Sequence, residues 1–478
     1  MRRPIFLLII LLGVCNFVAA QNKQILYNFS EIPQSLMVNP GTETNMQWYA
    51  GVPLMSGISL QAGSSGISVD DLFANDNVPF DDKFRDRVIN GLNTKDDLSG
   101  TYQIELLNAG FRGKNPDNFY SFGIYNEGDA IGYYFKDYAL LGYEGNANNL
   151  NKKFDLGDFK TRVESLNVFH FGVNKKINNT LTLGVRGKLY SSILNVNSTK
   201  NEGFFVTSEG ENNLLRNTIN ADLELQSSGA IAFNDVNKGD ASAGSLIKRG
   251  LLGGDIGLGL DLGFTYHLND QMVVTASVLD LGFVYHSTNV QNYTLKGNTS
   301  VEGVEIILPE AISNTNSEFW QELIDEVEDL VPFESNNNNY ITFRPTKLYG
   351  SLDYNFGEPT GSKNNLGCDC YSNNKRNANR ATYANSVGGQ LYVINRPRGP
   401  QAALSAFYLR RLGNVMAVKA AYTVDKYSLT NIGLGVTMQA GPVNIYFMAD
   451  NLLSYANLAA SRYASFQFGI NVISWGRR

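Results

Sequence analysis

Residues 256–268 alternate strictly between large apolar side chains and small or polar ones. Leucine, phenylalanine or tyrosine occupies every even position from 258 to 268, and glycine, aspartate, threonine or histidine occupies every odd position from 257 to 267. Because successive side chains of a β-strand point to opposite faces, this pattern predicts a strand with one apolar face and one small or polar face.

A two-residue turn at 269–270 follows, and a second β-rich segment runs from 272 to 285. Each arm is longer than the usual globular strand of about five or six residues, whereas about 9–11 tilted residues are enough to cross a bilayer. We therefore interpret 256–286 as a membrane-spanning hairpin. The face that carries Leu262 is expected to contact lipid, and the face that carries Asp261 is expected to line a lumen.

The same alternation recurs along the chain. In 181–189 apolar residues fall at the odd positions 181, 183, 185 and 189, while Gly184, Arg186 and Lys188 share the opposite face, which favours a polar lumen over an apolar soluble core. Tight turns alternate with long excursions, the longest at 199–254, where we expect short strands. These features predict an all-β protein, a transmembrane antiparallel β-barrel of about 14 strands, with about 12–16 as the range because bacterial barrels use even numbers.

Two segments depart from the β pattern. Near 81–92, Phe84, Val88 and Leu92 recur at four-residue spacing among charged residues, which predicts a short amphipathic helix. Near 316–331, apolar residues again follow one helical face while the other face is acidic. We predict that the first insert caps, plugs or flanks the sheet, and that the second covers an apolar patch of the sheet or plugs the lumen. For the second insert, an anionic docking face for a partner is the alternative.

The start of the chain has the features of a signal peptide. Arg2 and Arg3 precede an apolar run at 5–14, and small residues precede a cleavage point before Gln21. Lipidation at Cys15 is a weaker alternative, because the residue before this cysteine is a valine. The chain is therefore expected to be exported.

The remaining chain is expected to form one domain. The predicted divisions are a signal peptide at 1–20, an N-terminal arm at 21–45 and a single outer-membrane barrel at 46–478 that carries both helical inserts. The formal net charge of -6 and the pI of about 5.3 give no basic surface for a nucleic acid, so none is expected as a partner.

Candidate chemical sites are few. Cys368 and Cys370 are one residue apart, closer than the spacing of about two to four residues in most zinc sites, so two loop thiols or a local oxidised pair are favoured. His170, His267 and His286 lie on separate predicted strands. The sequence shows no nucleophile elbow, phosphate-binding loop or metalloprotease helix. We therefore predict a non-enzyme and assign no catalytic, cofactor-binding or metal-binding residue.

Several segments, in their order along the chain, carry a resemblance to a known family. They are the Asn-Pro segment at 34–41, the hairpin at 97–125, the central hairpin at 259–285, the Arg-Pro-Thr-Lys-Leu segment at 344–348 and the segment at 441–452. Through them the chain resembles a Bacteroidota outer-membrane β-barrel family of unknown function, DUF5723, related in pattern to the PorP/SprF proteins associated with type IX secretion. The resemblance covers nearly all of the mature chain. It implies a location in the cell outer membrane and no catalytic residue.

Two functions follow as competing hypotheses. The first is a non-enzymatic outer-membrane barrel that anchors, or helps to assemble or secrete, a surface-exposed protein. Its partners would be outer-membrane lipid and a secreted surface protein or a type IX secretion component. The alternative is a porin or FadL-like transporter of a small or apolar solute, and a soluble secreted β-protein is the third reading. The sequence alone does not decide whether the lumen is open or plugged.

Overall fold

The structure is a computed structural model that describes residues 23–211, 214–229, 243–302, 333–360, 382–413 and 415–475. The signal peptide predicted at 1–20, the helical insert predicted at 316–331, and Cys368 and Cys370 lie outside the described residues.

In the described residues, 20 strands join into one sheet. In chain order they are β1 (Met46–Gly51), β2 (Ile58–Ser64), β3 (Asp97–Arg112), β4 (Asn118–Tyr133), β5 (Lys153–Asp155), β6 (Thr161–Lys176), β7 (Leu181–Glu209), β8 (Leu215–Ser228), β9 (Asp255–His267), β10 (Met272–His286), β11 (Val290–Glu302), β12 (Phe333–Asn336), β13 (Tyr340–Phe343), β14 (Lys347–Thr360), β15 (Thr382–Arg396), β16 (Gly399–Leu412), β17 (Met416–Val424), β18 (Asn431–Ala440), β19 (Val443–Ala449) and β20 (Tyr463–Trp475). The hairpin predicted at 256–286 is confirmed, because β9 and β10 pair antiparallel across their turn.

The sheet closes on itself because the last strand pairs with the first. Both β1 and β2 lie between β20 and β3, so they share one strand position that is interrupted between them. From there the ring passes through β3, β4, β6, β7, β9 and β10, and then in order from β14 to β20. This makes a closed antiparallel barrel of 14 strands, as predicted.

The two ends of the barrel differ in their connections. At one end, which we call the short-turn rim, neighbouring strands are joined by the tight turns at 113–117, 177–180, 268–271 and 441–442. The opposite end, the long-loop rim, carries longer connections such as 65–96 and 134–160. Two connections depart from this division: 361–381 joins β14 to β15 at the short-turn rim, and the two-residue turn at 397–398 lies at the long-loop rim. Outer-membrane barrels show the same asymmetry, with short turns on the periplasmic side and long loops outside.

The two faces of the wall are those that the alternation predicts. Leu258 and Leu262 point outward with 57% and 39% of their surface exposed, whereas Asp261 is 0% exposed. Arg186 and Lys188, predicted on the inner face of β7, are also buried. An apolar outer wall around a polar interior is typical of membrane barrels.

Part of the sheet extends beyond the ring at the long-loop rim. The first half of β7 pairs with β9 in the ring, while its second half pairs with β8, and β11 and β12 follow. We call this outer part the extension; one of its faces packs on Phe154 and Leu156. The expectation of short strands in 199–254 is wrong here, because β8 alone has 14 residues. Outside a membrane a strand needs no continuous apolar face, so its alternation is weak.

The helices are short and lie mainly in the connections. The α-helices of the described residues are α1 (Ser35–Val38), α2 (Val69–Phe73), α3 (Phe80–Lys83), α4 (Lys136–Glu144) and α5 (Ala243–Lys248). The insert predicted near 81–92 is confirmed, and α3 continues as a π-helix over Phe84–Ile89. The sequence pattern does not predict α4, because Gly142 is its only buried residue and no apolar face marks it. Within the described ranges, no helix is both long and apolar enough to cross a membrane.

The outward position of Leu262 predicts the cost of a charge on the lipid-facing wall. Leu262→Arg should lower the free energy of unfolding by about 2–4 kcal/mol if the residue lies near the bilayer midplane. Urea titration in phospholipid vesicles measures this loss. Leu429→Arg, in the hairpin at the long-loop rim where the side chain is 68% exposed, is the control and should have little effect. Normal folding and insertion of Leu262→Arg, with no loss of free energy of unfolding beyond that of the control, would show that the faces are reversed.

Candidate functional site in the barrel lumen

Residues 23–42 lie inside the barrel, and we call this segment the plug. Its fully buried apolar side chains are those of Ile25, Tyr27, Phe29 and Ile32. The chain leaves the lumen at the short-turn rim, where Met46 begins β1 opposite Trp475. Most of the segment predicted as an N-terminal arm at 21–45 therefore occupies the interior of the barrel.

An apolar patch on the inner wall receives the plug. The ring of Tyr27 stacks on that of Tyr349 with their centroids 4.8 Å apart, and Tyr349 also contacts the ring of Tyr392. Phe407 and Met448 belong to the same buried cluster. Burial of one large apolar side chain contributes roughly 1.5–3 kcal/mol. The plug thus forms a small hydrophobic core with one side of the wall.

Polar side chains of the wall donate hydrogen bonds to carbonyl oxygens of the plug. Arg186 donates to the carbonyls of Leu36 and Met37, at 2.8 and 2.6 Å. Asn174 donates through Nδ2 to the carbonyl of Pro40 at 2.8 Å. A buried carbonyl without a partner costs about 1–3 kcal/mol. The inward-facing polar residues therefore satisfy a backbone that has little secondary structure of its own.

Glycines of the inner wall make room for the plug. A Cβ on Gly184 would lie 2.0 Å from the carbonyl carbon of Pro40, and a Cβ on Gly263 would lie 2.1 Å from Oδ1 of Asn39. Both distances are too short for any side chain. The small face predicted for the hairpin of β9 and β10 thus permits a close approach between the wall and the plug.

The exit of the plug is tied to the short-turn rim. Nε2 of His267 lies 2.9 Å from a carboxylate oxygen of Glu43, and the hydroxyl of Thr182 donates to the other oxygen at 3.1 Å. Burial raises the pKa of Glu43, but the hydrogen bonds of His267 and Thr182 and the charge of Lys176 act in the opposite direction, so that the pKa of Glu43 lies below its ordinary value. The carboxylate is therefore the stable form at this contact.

A chain of buried ion pairs follows the wall beside the plug. Asp261 contacts Arg186 at 2.5 Å and Lys188 at 2.9 Å. Asp280 contacts Lys188 at 2.6 Å and Lys347 at 2.8 Å. Each aspartate therefore pairs with two cationic side chains. These ion pairs connect strands β7, β9, β10 and β14.

Further ion pairs join distant sides of the ring. Arg344, between β13 and β14, contacts Glu127 on β4 and Glu164 on β6. Arg396, at the end of β15, contacts Asp129 on β4 at 2.5 Å. Because nearly half of the ring separates β4 from β15, these pairs cross the lumen and brace it.

Little space remains between the plug and these ion pairs. A cavity of about 50 Å³ is lined by the plug residue Lys23 and by wall residues that include Glu127, Asp280, Arg344 and Lys347. One water molecule needs at least about 10–15 Å³, whereas small-molecule sites usually measure about 300–1,000 Å³. The cavity can hold a few water molecules and is too small for an organic solute.

The three histidines lie in different surroundings. His170 on β6 packs against the ring of Tyr125, and His267 contacts the plug exit. His286 on β10 lies 3.2 Å from Asp255 and 2.9 Å from the hydroxyl of Thr342. In the described part of the chain, no three His, Cys, Asp or Glu residues are grouped as metal ligands.

Arg186, Lys188 and Asp261 lie in the lumen, as the strand alternation predicts, whereas the plug is not predicted by the sequence pattern. The ion pairs that cross the lumen are not predicted either, although Arg344 belongs to a segment that carries the family resemblance. The sequence of the plug nevertheless indicates burial, because apolar and amide side chains mix at 25–42 without helix or strand periodicity. Such a mixture suits a segment that is enclosed on all sides.

Removal of Arg186 should loosen the plug and the ion chain together. Arg186→Met should lower the free energy of unfolding by about 3–5 kcal/mol, because a buried acid loses one of its partners. Limited proteolysis should also cleave within residues 23–42 more readily. Arg216→Met, which breaks the half-exposed pair of Arg216 with Glu302 on the extension, is the control and should cost about 0–1 kcal/mol. An intact plug in Arg186→Met would contradict this role.

The chain is similar to several solved barrels of low sequence identity. The Ralstonia pickettii toluene transporter TbuX is 9% identical with a TM-score of 0.41, covering 93% of this chain and 94% of its own. A Pseudomonas aeruginosa FadL homologue is 7% identical with a TM-score of 0.41, covering 95% and 99%. The translocator domain of the autotransporter NalP from Neisseria meningitidis is 7% identical with a TM-score of 0.29, covering 90% and 89%.

No curated protein matches the sequence significantly. A model of a family of unknown function, DUF5723, matches residues 40–450, which include the end of the plug and nearly the whole barrel. The chain therefore belongs to the DUF5723 family of unknown function.

Proposed function

We propose that this protein is a non-enzymatic barrel of the outer membrane that anchors, or helps to assemble or secrete, a surface-exposed protein. The observation that carries this proposal is the filled lumen: among the described residues, the cavity between the plug and the ion pairs measures about 50 Å³. A barrel filled in this way is suited to hold a partner at its rim rather than to pass a solute along its axis.

The apolar outer wall supports the proposed location, with outer-membrane lipid as the surrounding medium. The signal peptide predicted at 1–20 agrees with export.

The extension is the surface that we assign to the partner. It continues the barrel wall beyond the long-loop rim, the side that faces outward in outer-membrane barrels. Its exposed ion pairs, such as that of Lys200 with Glu224 at 3.4 Å, suit a solvated surface. The proposed context is type IX secretion, supported by the sequence resemblance, with a secreted surface protein or a secretion component as the partner.

A disulfide that fixes the plug inside the lumen distinguishes an anchoring function from a transport function. Asn28 of the plug contacts Ser351 of the wall directly, so Asn28→Cys with Ser351→Cys should link them under oxidation when Cys368 and Cys370 are changed to serine. Loss of the whole protein should remove a protein from the cell surface, and the locked variant should restore it, because an anchor needs no open lumen. Surface proteomics measures both. If only the reduced form restores the surface protein, movement of the plug is required and anchoring alone is refuted.

A gated transporter of an apolar solute is the second candidate. One observation favours it: an apolar concavity of about 870 Å³ in the outer wall, beside the end of β1, lined by residues that include Leu107, Phe122 and Phe171. The hydrogen bonds and hydrophobic contacts that hold the plug are all non-covalent, so its displacement is chemically possible.

Reconstituted protein decides between the candidates. If the protein is an anchor, vesicles that contain the wild-type barrel should show no channel conductance and no uptake of a labelled aromatic hydrocarbon above that of empty vesicles. A variant without residues 23–42 is the positive control and should conduct ions. Hydrocarbon uptake by the wild type that stops when the plug is locked would replace the anchoring proposal with the transporter.

A further inference from the structure

The apolar concavity of about 870 Å³ lies on the lipid-facing side of the barrel wall, over strands β1, β3, β4, β6 and β7. One row of directly paired residues crosses all five strands. In order, the row consists of Ala50, Ala109, Phe122, Phe171 and Gly187. The side chains of Phe122 and Phe171 are 45% and 53% exposed, so this row belongs to the outward face of the wall.

Small residues at both ends of this row open the concavity. Ala50 and Ala109 place only methyl groups on the outward face at one end. At the other end, a Cβ on Gly187 would meet no atom within 4 Å. The volume of the concavity lies within the range of about 300–1,000 Å³ that small-molecule sites occupy. The wall can therefore receive an apolar chain here.

An aromatic row borders the concavity on the side of the short-turn rim. It consists of Trp48, Phe111 and Tyr120, which pair across β1, β3 and β4. The rings of Phe111 and Tyr120 have centroids 5.6 Å apart. In membrane barrels, girdles of aromatic residues mark the level where the hydrocarbon core meets the polar head groups. The concavity thus lies in the hydrocarbon region, next to the head groups on the short-turn side.

The outward face of β6 leads from the concavity to a lysine. Phe169, Phe171, Val173 and Lys175 follow one another on this face, and the exposed Lys175 lies at the short-turn rim. At about 3.3–3.4 Å per residue, Phe169 and Lys175 are about 20 Å apart along the strand. The usual strand tilt of about 35–45° reduces this to about 15 Å along the membrane normal. Half of the hydrocarbon core has the same thickness, about 15 Å, so the distance fits one leaflet.

Positive charge predominates at this part of the short-turn rim. The turn at 113–117, the strand ends beside it and the end of β6 carry four bases and one acid, namely Arg112, Lys114, Lys175, Lys176 and Asp117. The nearby Glu43 already contacts His267 and Thr182. Lys114 and Lys175 are exposed. An anionic head group can therefore reach both lysines.

We propose that the concavity binds one anionic phospholipid from the leaflet on the short-turn side. An acyl chain lies over Gly187, and the phosphate contacts Lys175. Burial of the methylene groups holds the chain, and lysine side chains at the membrane surface attract anionic lipids. A lipid bound here needs neither a protein partner nor an open lumen, so its binding is independent of both candidate functions.

Native mass spectrometry tests this proposal directly. Full-length protein in detergent, freed of lipid, is titrated with phosphatidylglycerol, and the lipids that remain bound are counted. One phosphatidylglycerol should be retained at concentrations at which phosphatidylcholine, which has no net charge, is lost. Phosphatidylglycerol should also raise the melting temperature, because it binds the folded protein. Absence of a retained lipid, or equal retention of the two lipids, would overturn the proposal.

Two variants with matched controls locate the lipid. Gly187→Leu fills the floor of the concavity and should weaken phosphatidylglycerol binding at least about tenfold, because it displaces methylene groups of the chain. Gly389→Leu, at an exposed glycine of β15 that also has no atom within 4 Å of its Cβ position, should leave binding unchanged. Both glycines have free space, so both variants should fold, which heat-modifiable migration in gels checks.

The second pair of variants tests the head group. Lys175→Gln should weaken binding about fivefold. Arg410→Gln, which removes an exposed charge of β16 at the same rim, is its control and should have no effect. Unchanged binding in Gly187→Leu or Lys175→Gln, or an equal loss in a variant and its control, would show that lipid coats the wall without a defined site and would refute the proposal.

Discussion

Asp261 and Asp280 bring two negative charges into the interior of the barrel. They form ion pairs with Arg186, Lys188 and Lys347. Burial of an ion costs several kcal/mol unless opposite charges and hydrogen bonds surround it closely. Arg186 meets this condition by dividing its donors between Asp261 and the plug carbonyls of Leu36 and Met37. The ion chain and the plug therefore stabilise each other, and loss of either leaves the other with unsatisfied polar atoms.

The wall of the barrel is divided between two ways of holding the plug. On the side of β14 to β19, tyrosine and other apolar side chains bury Ile25, Tyr27 and Phe29. On the side of β6 to β10, arginine, asparagine, serine and glycine hold the backbone from Leu36 to Thr42. A plug with one apolar end and one backbone-bonded end has a single orientation that satisfies both sides of the wall.

The sequence predicts those features that depend on neighbouring residues. Strand alternation is local, so it places Leu262 outside and Asp261 inside and leads to the number of strands. The contact of Arg396 with Asp129 depends on closure of the ring across more than two hundred residues, and no local pattern contains it. The plug likewise has no periodicity, because its conformation follows from the wall that encloses it. The extension is missed because its solvated strands need no apolar face.

The seam between β1 and β20 joins the two ends of the described chain, where Gly51 pairs with Asn471. Pairings between such distant residues are slow to form, because a long loop must close first. Only residues 43–45 separate the plug from β1, so the plug is already beside the lumen when β1 takes its place in the ring. Closing the seam and filling the interior are thus parts of one assembly step.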